Sequence, residues 1–280
     1  MEALETDAEF IPMEEIVNGG EGGGEKEEEE EERKSELNGE EQKDVEDDDI
    51  DDGINVEYCD FNEKFHPRTA VQIIGSSSSR KTTICVSILN NLKDVLSFVP
   101  NRVLYVTPFI QNCMKPFVGK IDFIHDWNDS NLSHSSLKTK YKRSLVIVDD
   151  MAYNHQDKNF LVWCFQHLIK HAGICWIMLC HNLFSKSLPF SREISLNSDI
   201  FILTSSPRTR STVDIFSRQV SMGNEGKRFR ECYNEVVNSV SPFQHFIYDA
   251  RVATPERFRL RQNLTSDFGP LYVFTPKVKL

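Results

Sequence analysis

The stretch from Val71 to Thr83 restricts the fold more than any other part of the chain. Val71, Ile73 and Ile74 make a short apolar run of buried-strand length, and Gly75 ends it. Four serines, Ser76, Ser77, Ser78 and Ser79, then form a turn of small residues. Lys81, Thr82 and Thr83 open a helical pattern continued by Ile84, Val86, Ile88, Leu89 and Leu92. Strand, loop and helix follow the spacing Gly-x-x-x-x-Gly-Lys-Thr, except that Arg80 stands at the second glycine. Small residues let successive backbone N–H groups converge on an anion, and the helix N-terminus adds partial positive charge. Gly75 through Thr83 are therefore candidate phosphate-binding residues for a nucleotide. Lys81 would neutralise phosphates, and Thr82 would offer its hydroxyl to Mg²⁺. A Ser-rich turn before Arg-Lys can also be a plain solvated loop. The strand and helix in register around it favour the phosphate reading.

The run Ser144 to Met151 carries the second half of this argument. Leu145 to Val148 is wholly apolar, as expected of a strand buried on both faces of a parallel sheet, and Asp149-Asp150 follow at its C-terminal end. This is the pattern of a Walker B element. Asp149 would hold the metal through its water shell, and Asp150 stands where a carboxylate would polarise the attacking water. Taken alone, an Asp-Asp pair can be a solvated turn. The strand Ile174 to Cys180 runs into His181-Asn182, and both residues compete for a sensor role beside the Walker B strand.

Charge divides the chain in two. Residues 1–63 carry 27 Asp/Glu against 4 Lys/Arg, whereas residues 64–280 carry 28 Lys/Arg against 16 Asp/Glu. The first segment has a glycine cluster and the run Glu27 to Glu32, with too little apolar surface to offset its ordering entropy, and is expected to be a disordered acidic tail. It is either a solubilising tail or a brake that mimics nucleic acid. In the second case its deletion tightens DNA binding. Residues 64–280 suffice for one core. The seven cysteines show no CxxC pair, and no apolar run reaches the length of a membrane span. These features point to reduced thiols, an intracellular site and no membrane partner. The eight histidines show no metal-ligand spacing.

In chain order, residues 54–70 read as an entry segment, followed by strand 71–74 and a helix from Lys81 to Phe98. Arg102 to Val106 reads as a strand, and 109–143 as irregular. Lys138 to Arg143 is a basic stretch that is either a solvated face or a contact for a phosphate backbone. A helix spans Lys158 to His171, with its aromatic residues read as core. Residues 185–197 read as a loop bearing Arg192, before strand Ile200 to Thr204. A loop with Arg208 and Arg210, helices Thr212–Val220 and Lys227–Val237, strand Phe243–Asp249 and the basic run Pro255–Asn263 follow. This order argues one α/β P-loop NTPase domain at 64–280, with a mainly parallel central sheet flanked by helices.

Several runs together resemble a known family. They are Gly75-Ser-Ser-Ser-Ser-Arg-Lys-Thr-Thr, Leu145-Val-Ile-Val-Asp-Asp, His181-Asn-Leu-Phe with Ser191-Arg-Glu-Ile-Ser-Leu-Asn-Ser, Pro207-Arg, and Thr254-Pro-Glu-Arg-Phe-Arg-Leu-Arg-Gln-Asn. Over residues 66 to about 264 the chain resembles the poxvirus-type genome-packaging ATPases of the FtsK–HerA group. The closer likeness is to those of Polinton (Maverick) elements and adintovirus-like viruses. The resemblance implies a homo-oligomeric ring that hydrolyses ATP to move double-stranded DNA into a capsid, with capsid proteins as further partners. It implies a host nucleus or a viral assembly site as the location. Lys81, Thr82, Asp149 and Asp150 carry over as phosphate, metal and water contacts. His181 departs from the family's glutamine. The arginine completing a neighbour's site would be Arg192, Arg208 or Arg210, with Arg192 favoured because it lies in a family-specific run. Arg80 and His181 also support an alternative, a hydrolysis-impaired protein that binds DNA or capsid. A nucleotide kinase or GTPase is disfavoured, since no Asn-Lys-x-Asp run is present.

Overall fold

The computed structural model describes residues 54–60, 63–151, 158–184, 190–206, 209–220, 224–239 and 244–276. The acidic segment up to residue 53 and Arg208 lie outside them. Among the described residues, ten strands form one sheet in the order β1-β10-β9-β8-β7-β2-β6-β5-β3-β4. The half that positions the site is parallel: β2 (Ala70–Ile74), β3 (Val103–Val106), β4 (Asp122–Ile124), β5 (Leu145–Val148), β6 (Cys175–Cys180) and β7 (Ile200–Thr204). The other half adds β8 (His245–Asp249), β9 (Leu260–Gln262), β10 (Tyr272–Pro276) and β1 (Ile54–Tyr58), all antiparallel.

The central strands are apolar throughout because both faces of the sheet are covered. Alternate residues serve two cores. Val146, Val148, Trp176, Met178, Phe201 and Leu203 point to one. Leu145, Ile147, Ile177, Leu179, Ile200 and Ile202 point to the other, beneath helix α1 (Lys81–Asn90). The first core is roofed by several helices. Helix α3 (His134–Thr139) is followed by α4 (Lys158–Trp163), which runs through a π-helical stretch (Cys164–Leu168) into α5 (Ile169–Ala172). Then come α6 (Ser191–Leu196), α7 (Arg210–Val220) and α8 (Asn224–Asn238). Gly173 closes α5 in the left-handed conformation at φ 67°, which glycine adopts at little cost. No helix among the described residues is long and apolar enough to cross a membrane.

Several elements differ from those expected from the sequence. The helix expected from Lys81 to Phe98 breaks at Asn91, and a single turn, α2 (Leu92–Val95), follows. The Asn91 side-chain amide donates to Ser87 O at 2.9 Å and to Asp267 Oδ2 at 2.8 Å, a tertiary tie that overrides helical propensity. The region 109–143 is not wholly irregular, since β4 pairs parallel to β3. Residues 191–196 of the expected loop form α6, whose last carbonyls are closed by Asn197 Nδ2 to Glu193 O and Ser198 Oγ to Ile194 O. Part of the entry segment is β1, which pairs with β10 from Ile54↔Pro276 to Tyr58↔Tyr272.

Candidate active site

The candidate site lies at the C-terminal ends of β2, β6 and β5, which are adjacent in that order. Parallel strands bring three loops to one edge of a sheet, and such edges are where α/β folds bind ligands. Ser77 to Thr83, Gln111, Cys113, Asp149, Asp150 and His181 line a cleft of about 340 Å³ there.

The loop after β2 is tightly constrained at its base. A Cβ on Gly75 would lie 2.0 Å from Thr204 Oγ1 and 2.3 Å from Ser79 Oγ, so only glycine fits. The buried hydroxyls of Ser79 and Thr204 have no hydrogen-bond partner among the described residues. Ser76 Oγ pairs with Ser206 Oγ at 3.0 Å, tying the loop to the segment after β7. Ser78 and Arg80 adopt left-handed backbone at φ 62° and φ 70°. The Gly-x-x-x-x-Gly-Lys-Thr pattern has its second glycine where Arg80 stands, and the geometry supplies the reason. The position demands a positive φ, which costs a non-glycine residue about 1–2 kcal/mol. Helix α1 begins at the next residue with no side-chain cap and no acidic residue in its first turn. Its leading N–H groups and partial positive charge therefore face the loop.

Lys81 is buried, and its Nζ donates to Gly75 O at 2.9 Å and Ser76 O at 3.1 Å. Burial holds this ammonium below the usual lysine range, while Asp150 and Asp149 pull it back up. Nζ also lies 3.4 Å from His181 Nδ1, and His181 Nε2 lies 3.2 Å from Asp150 Oδ1. An ammonium can only donate, so Nδ1 accepts, and a neutral ring then carries its proton on Nε2 and donates it to Asp150. His181 thus joins the loop lysine to the second carboxylate. Asn182, its competitor in sequence, turns away. Its Oδ1 accepts from the Phe184 N–H at 3.1 Å and from Thr212 Oγ1 at 3.1 Å, anchoring α7.

Asp149 is 2 % exposed, and its Oδ2 accepts from Tyr105 OH at 2.7 Å and Thr82 Oγ1 at 3.2 Å. Burial raises its carboxyl above the usual range, and the charge of Asp150 adds to the rise. The hydrogen bonds from Tyr105 and Thr82 oppose it. Hydroxyl and carboxylate oxygens of this kind are the hard donors that Mg²⁺ prefers, so Thr82 and Asp149 fit the metal. Asp150 is part-exposed at φ 56°, turned out of the strand towards His181.

The structure therefore brings Ser77 to Thr83, Asp149, Asp150 and His181 together, with Gly75 and Ser76 as the base of the loop. It does not bring Arg192 to this cleft. That residue is exposed on α6. Arg210 opens α7 and lies on a separate groove with Lys227 and Arg230. Arg208 lies outside the described residues. Sequence reasoning missed Tyr105, Gln111 and Cys113. Tyr105 was the recoverable one, as a single hydroxyl in an apolar strand adjacent to the Walker B run.

Fold and site together define an α/β fold with a P-loop-type phosphate cradle at the ends of its parallel strands. No protein-family model and no curated protein matches the chain. Among solved structures it is similar to the genome packaging NTPase of Sulfolobus turreted icosahedral virus 2, solved in complex with ATP-gammaS. The identity is 14% over 70% of this chain and 97% of that one, with a TM-score of 0.44. It is also similar to the cytoplasmic domain of the Thermomonospora curvata type VII secretion ATPase EccC, at 11% identity over 76% of this chain and 26% of that one, TM-score 0.41. A third likeness is to the cytoplasmic domain of EssC, at 15% identity over 51% and 32%, TM-score 0.34. At these identities and scores, the site stands on the chain's own geometry.

Proposed function

We propose that the chain binds and hydrolyses ATP with Mg²⁺ and uses the turnover to move double-stranded DNA, as the packaging motor of a virus or virus-like mobile element. The observation that carries the nucleotide part is the convergence of Lys81, Thr82, Asp149, Asp150 and His181 on one cleft beside an uncapped helix N-terminus. The resemblance of its sequence runs to the packaging ATPases supports the DNA part, as does the basic excess of residues 64–280.

The backbone N–H groups from Ser77 to Lys81 would receive the β- and γ-phosphates, with the Lys81 ammonium exchanging its carbonyl partners for phosphate oxygens. Thr82 and Asp149 would hold Mg²⁺, which when bound neutralises charge developing on the phosphates. Asp150, oriented by the His181 N–H, would accept the proton of the water attacking the γ-phosphorus as the bond to the β-phosphate oxygen breaks. An arginine from a neighbouring copy in a ring, Arg192, Arg208 or Arg210, would complete the charge stabilisation. Capsid proteins and a nuclear or virion-assembly location belong to the same proposal.

The test is Mg²⁺-dependent uptake of a labelled ATP analogue by the full chain, followed by turnover with and without duplex DNA. Lys81→Ala is expected to lower DNA-stimulated turnover about 100-fold, the scale of removing one donor to transition-state charge. Absence of Mg²⁺-dependent uptake by the unaltered chain would overturn the motor. Uptake without turnover would favour the hydrolysis-impaired alternative, which the left-handed Arg80 and the engaged Lys81 also support.

A further inference from the structure

The six parallel strands enter the sheet at the pole opposite the cleft, and the residues at and just ahead of these entries form a cationic row. Across neighbouring strands the row holds Lys170, Arg68, Arg143, Lys142 and Arg102, each with its side chain at the surface. Backbone hydrogen bonds set the order. The Arg68 N–H donates to Ile174 O at 3.1 Å, the Arg143 N–H to Ala172 O at 3.1 Å, and the Asn101 N–H to Arg143 O at 3.0 Å. Carboxylates meet the row at its two ends, Asp199 with Lys170 at 3.1 Å and Asp122 with Arg102 at 3.1 Å. Among the described residues, no carboxylate forms an ion pair with Arg68, Lys142 or Arg143.

Arg68 and Arg143 also occupy left-handed backbone, at φ 75° and φ 55°. Glycine is the low-cost residue at such positions. A surface arginine held there is strained, and such strain marks sites where the side chain is used. Neighbouring strands lie about 4.8 Å apart, so Arg68 to Arg102 spans roughly 15 Å. One strand of a DNA duplex, rising about 3.4 Å per phosphate, presents about four phosphates over that length.

We propose that this row is the surface with which the chain grips the sugar-phosphate backbone of duplex DNA. The inference rests on the DNA-motor reading above and adds to it the location of the nucleic acid. DNA and nucleotide then sit at opposite poles of the same strands. The row meets phosphates, so it carries no sequence preference.

The test compares the full chain with the variant Arg68→Gly/Lys142→Ala/Arg143→Gly. Glycine suits the left-handed backbone at both arginines, so the variant retains its fold while shedding three charges. Fluorescence anisotropy of a labelled 30-base-pair duplex, titrated at several salt concentrations, is expected to show at least tenfold weaker binding at low salt. The salt slope should shrink by about 0.9 for each phosphate that is no longer neutralised. Mg²⁺-dependent binding of an ATP analogue should be unchanged, so a failure of the nucleotide reading would show separately, in the unaltered chain. Arg218→Ala/Lys227→Ala/Arg230→Ala removes the same charge from α7 and α8 and should weaken DNA binding far less. Undiminished affinity in the first variant, or an equal loss in the second, would refute the proposal. So would tighter binding of phosphatidylserine vesicles than of duplex by the unaltered chain.

Discussion

Arg80 and Asp149 show how single residues at the candidate site set function against stability. Arg80 holds a left-handed conformation that glycine adopts freely. Arg80→Gly should stabilise the chain by up to about 1 kcal/mol, the strain relieved less the entropy glycine adds, read as a higher urea midpoint. Nucleotide affinity should not fall, because the ligands there are backbone N–H groups. Asp149 is buried, and its carboxyl is raised above the ordinary range, chiefly by desolvation. A raised carboxyl favours the folded state at low pH and loses that contribution as pH climbs from the unfolded value through the folded one. Asp149→Asn should therefore raise the thermal midpoint at pH 7. The gain should shrink as pH falls through the raised value of the folded carboxyl towards and below the unfolded carboxylate range. The same variant should lose Mg²⁺-dependent nucleotide uptake. A variant that is no more stable at pH 7 would show that Tyr105 and Thr82 already offset the burial.

Among the elements, the antiparallel strands show what the family-like run from Thr254 to Asn263 does. Of its arginines, Arg259 and Arg261 face inward, whereas Arg257 is exposed. Asp249, fully buried on β8, accepts from Arg251 Nη2 at 2.6 Å and from the buried Arg261 Nη2 at 3.2 Å. Arg259 Nη1 donates to the backbone oxygens of Asp249 and Arg251 at 3.0 and 3.1 Å. Asn263, left-handed at φ 63°, donates to Pro270 O at 2.9 Å and closes the turn into β10. Burial alone would raise the Asp249 carboxyl, but the Arg251 hydrogen bond and the charges of Arg261 and Arg251 outweigh it and hold it low. Its stabilising share is present above the unfolded carboxylate range and is lost as pH falls through the depressed value. Asp249→Ala should cost about 3–5 kcal/mol, because two arginines are left without their shared carboxylate. Urea unfolding at pH 7 checks the size. The deficit should narrow in acid, and a constant deficit would argue that packing, not charge, holds these strands. Ser191 to Ser198, another family-like run, buttresses the loop strand, with Gln72 Nε2 donating to Ser198 Oγ at 2.6 Å.

For the whole molecule, the consequential strand is β1, which seals β10 along five residue pairs. A chain beginning at residue 64 would leave β10 as an open edge, the condition that invites association between copies. It should aggregate on heating, whereas a chain beginning at residue 54 should refold. Size-exclusion profiles before and after a heat cycle distinguish them, and identical behaviour would show that β1 adds nothing to the sheet. How much of this was legible in sequence divides along physical lines. The loop from Gly75 to Thr83, the Asp149-Asp150 strand end and five of the six parallel strands, all but β4, follow from local rules. A turn of small residues, a helix start and an all-apolar strand each declare themselves within about ten residues. The break at Asn91, the hydroxyl Tyr105 brings to Asp149, the opposite turnings of His181 and Asn182, and the inward-facing arginines around Asp249 depend on partners up to 176 residues away. Local pattern is written by each residue's neighbours in the chain. Burial and charge pairing are decided only when distant strands lie side by side.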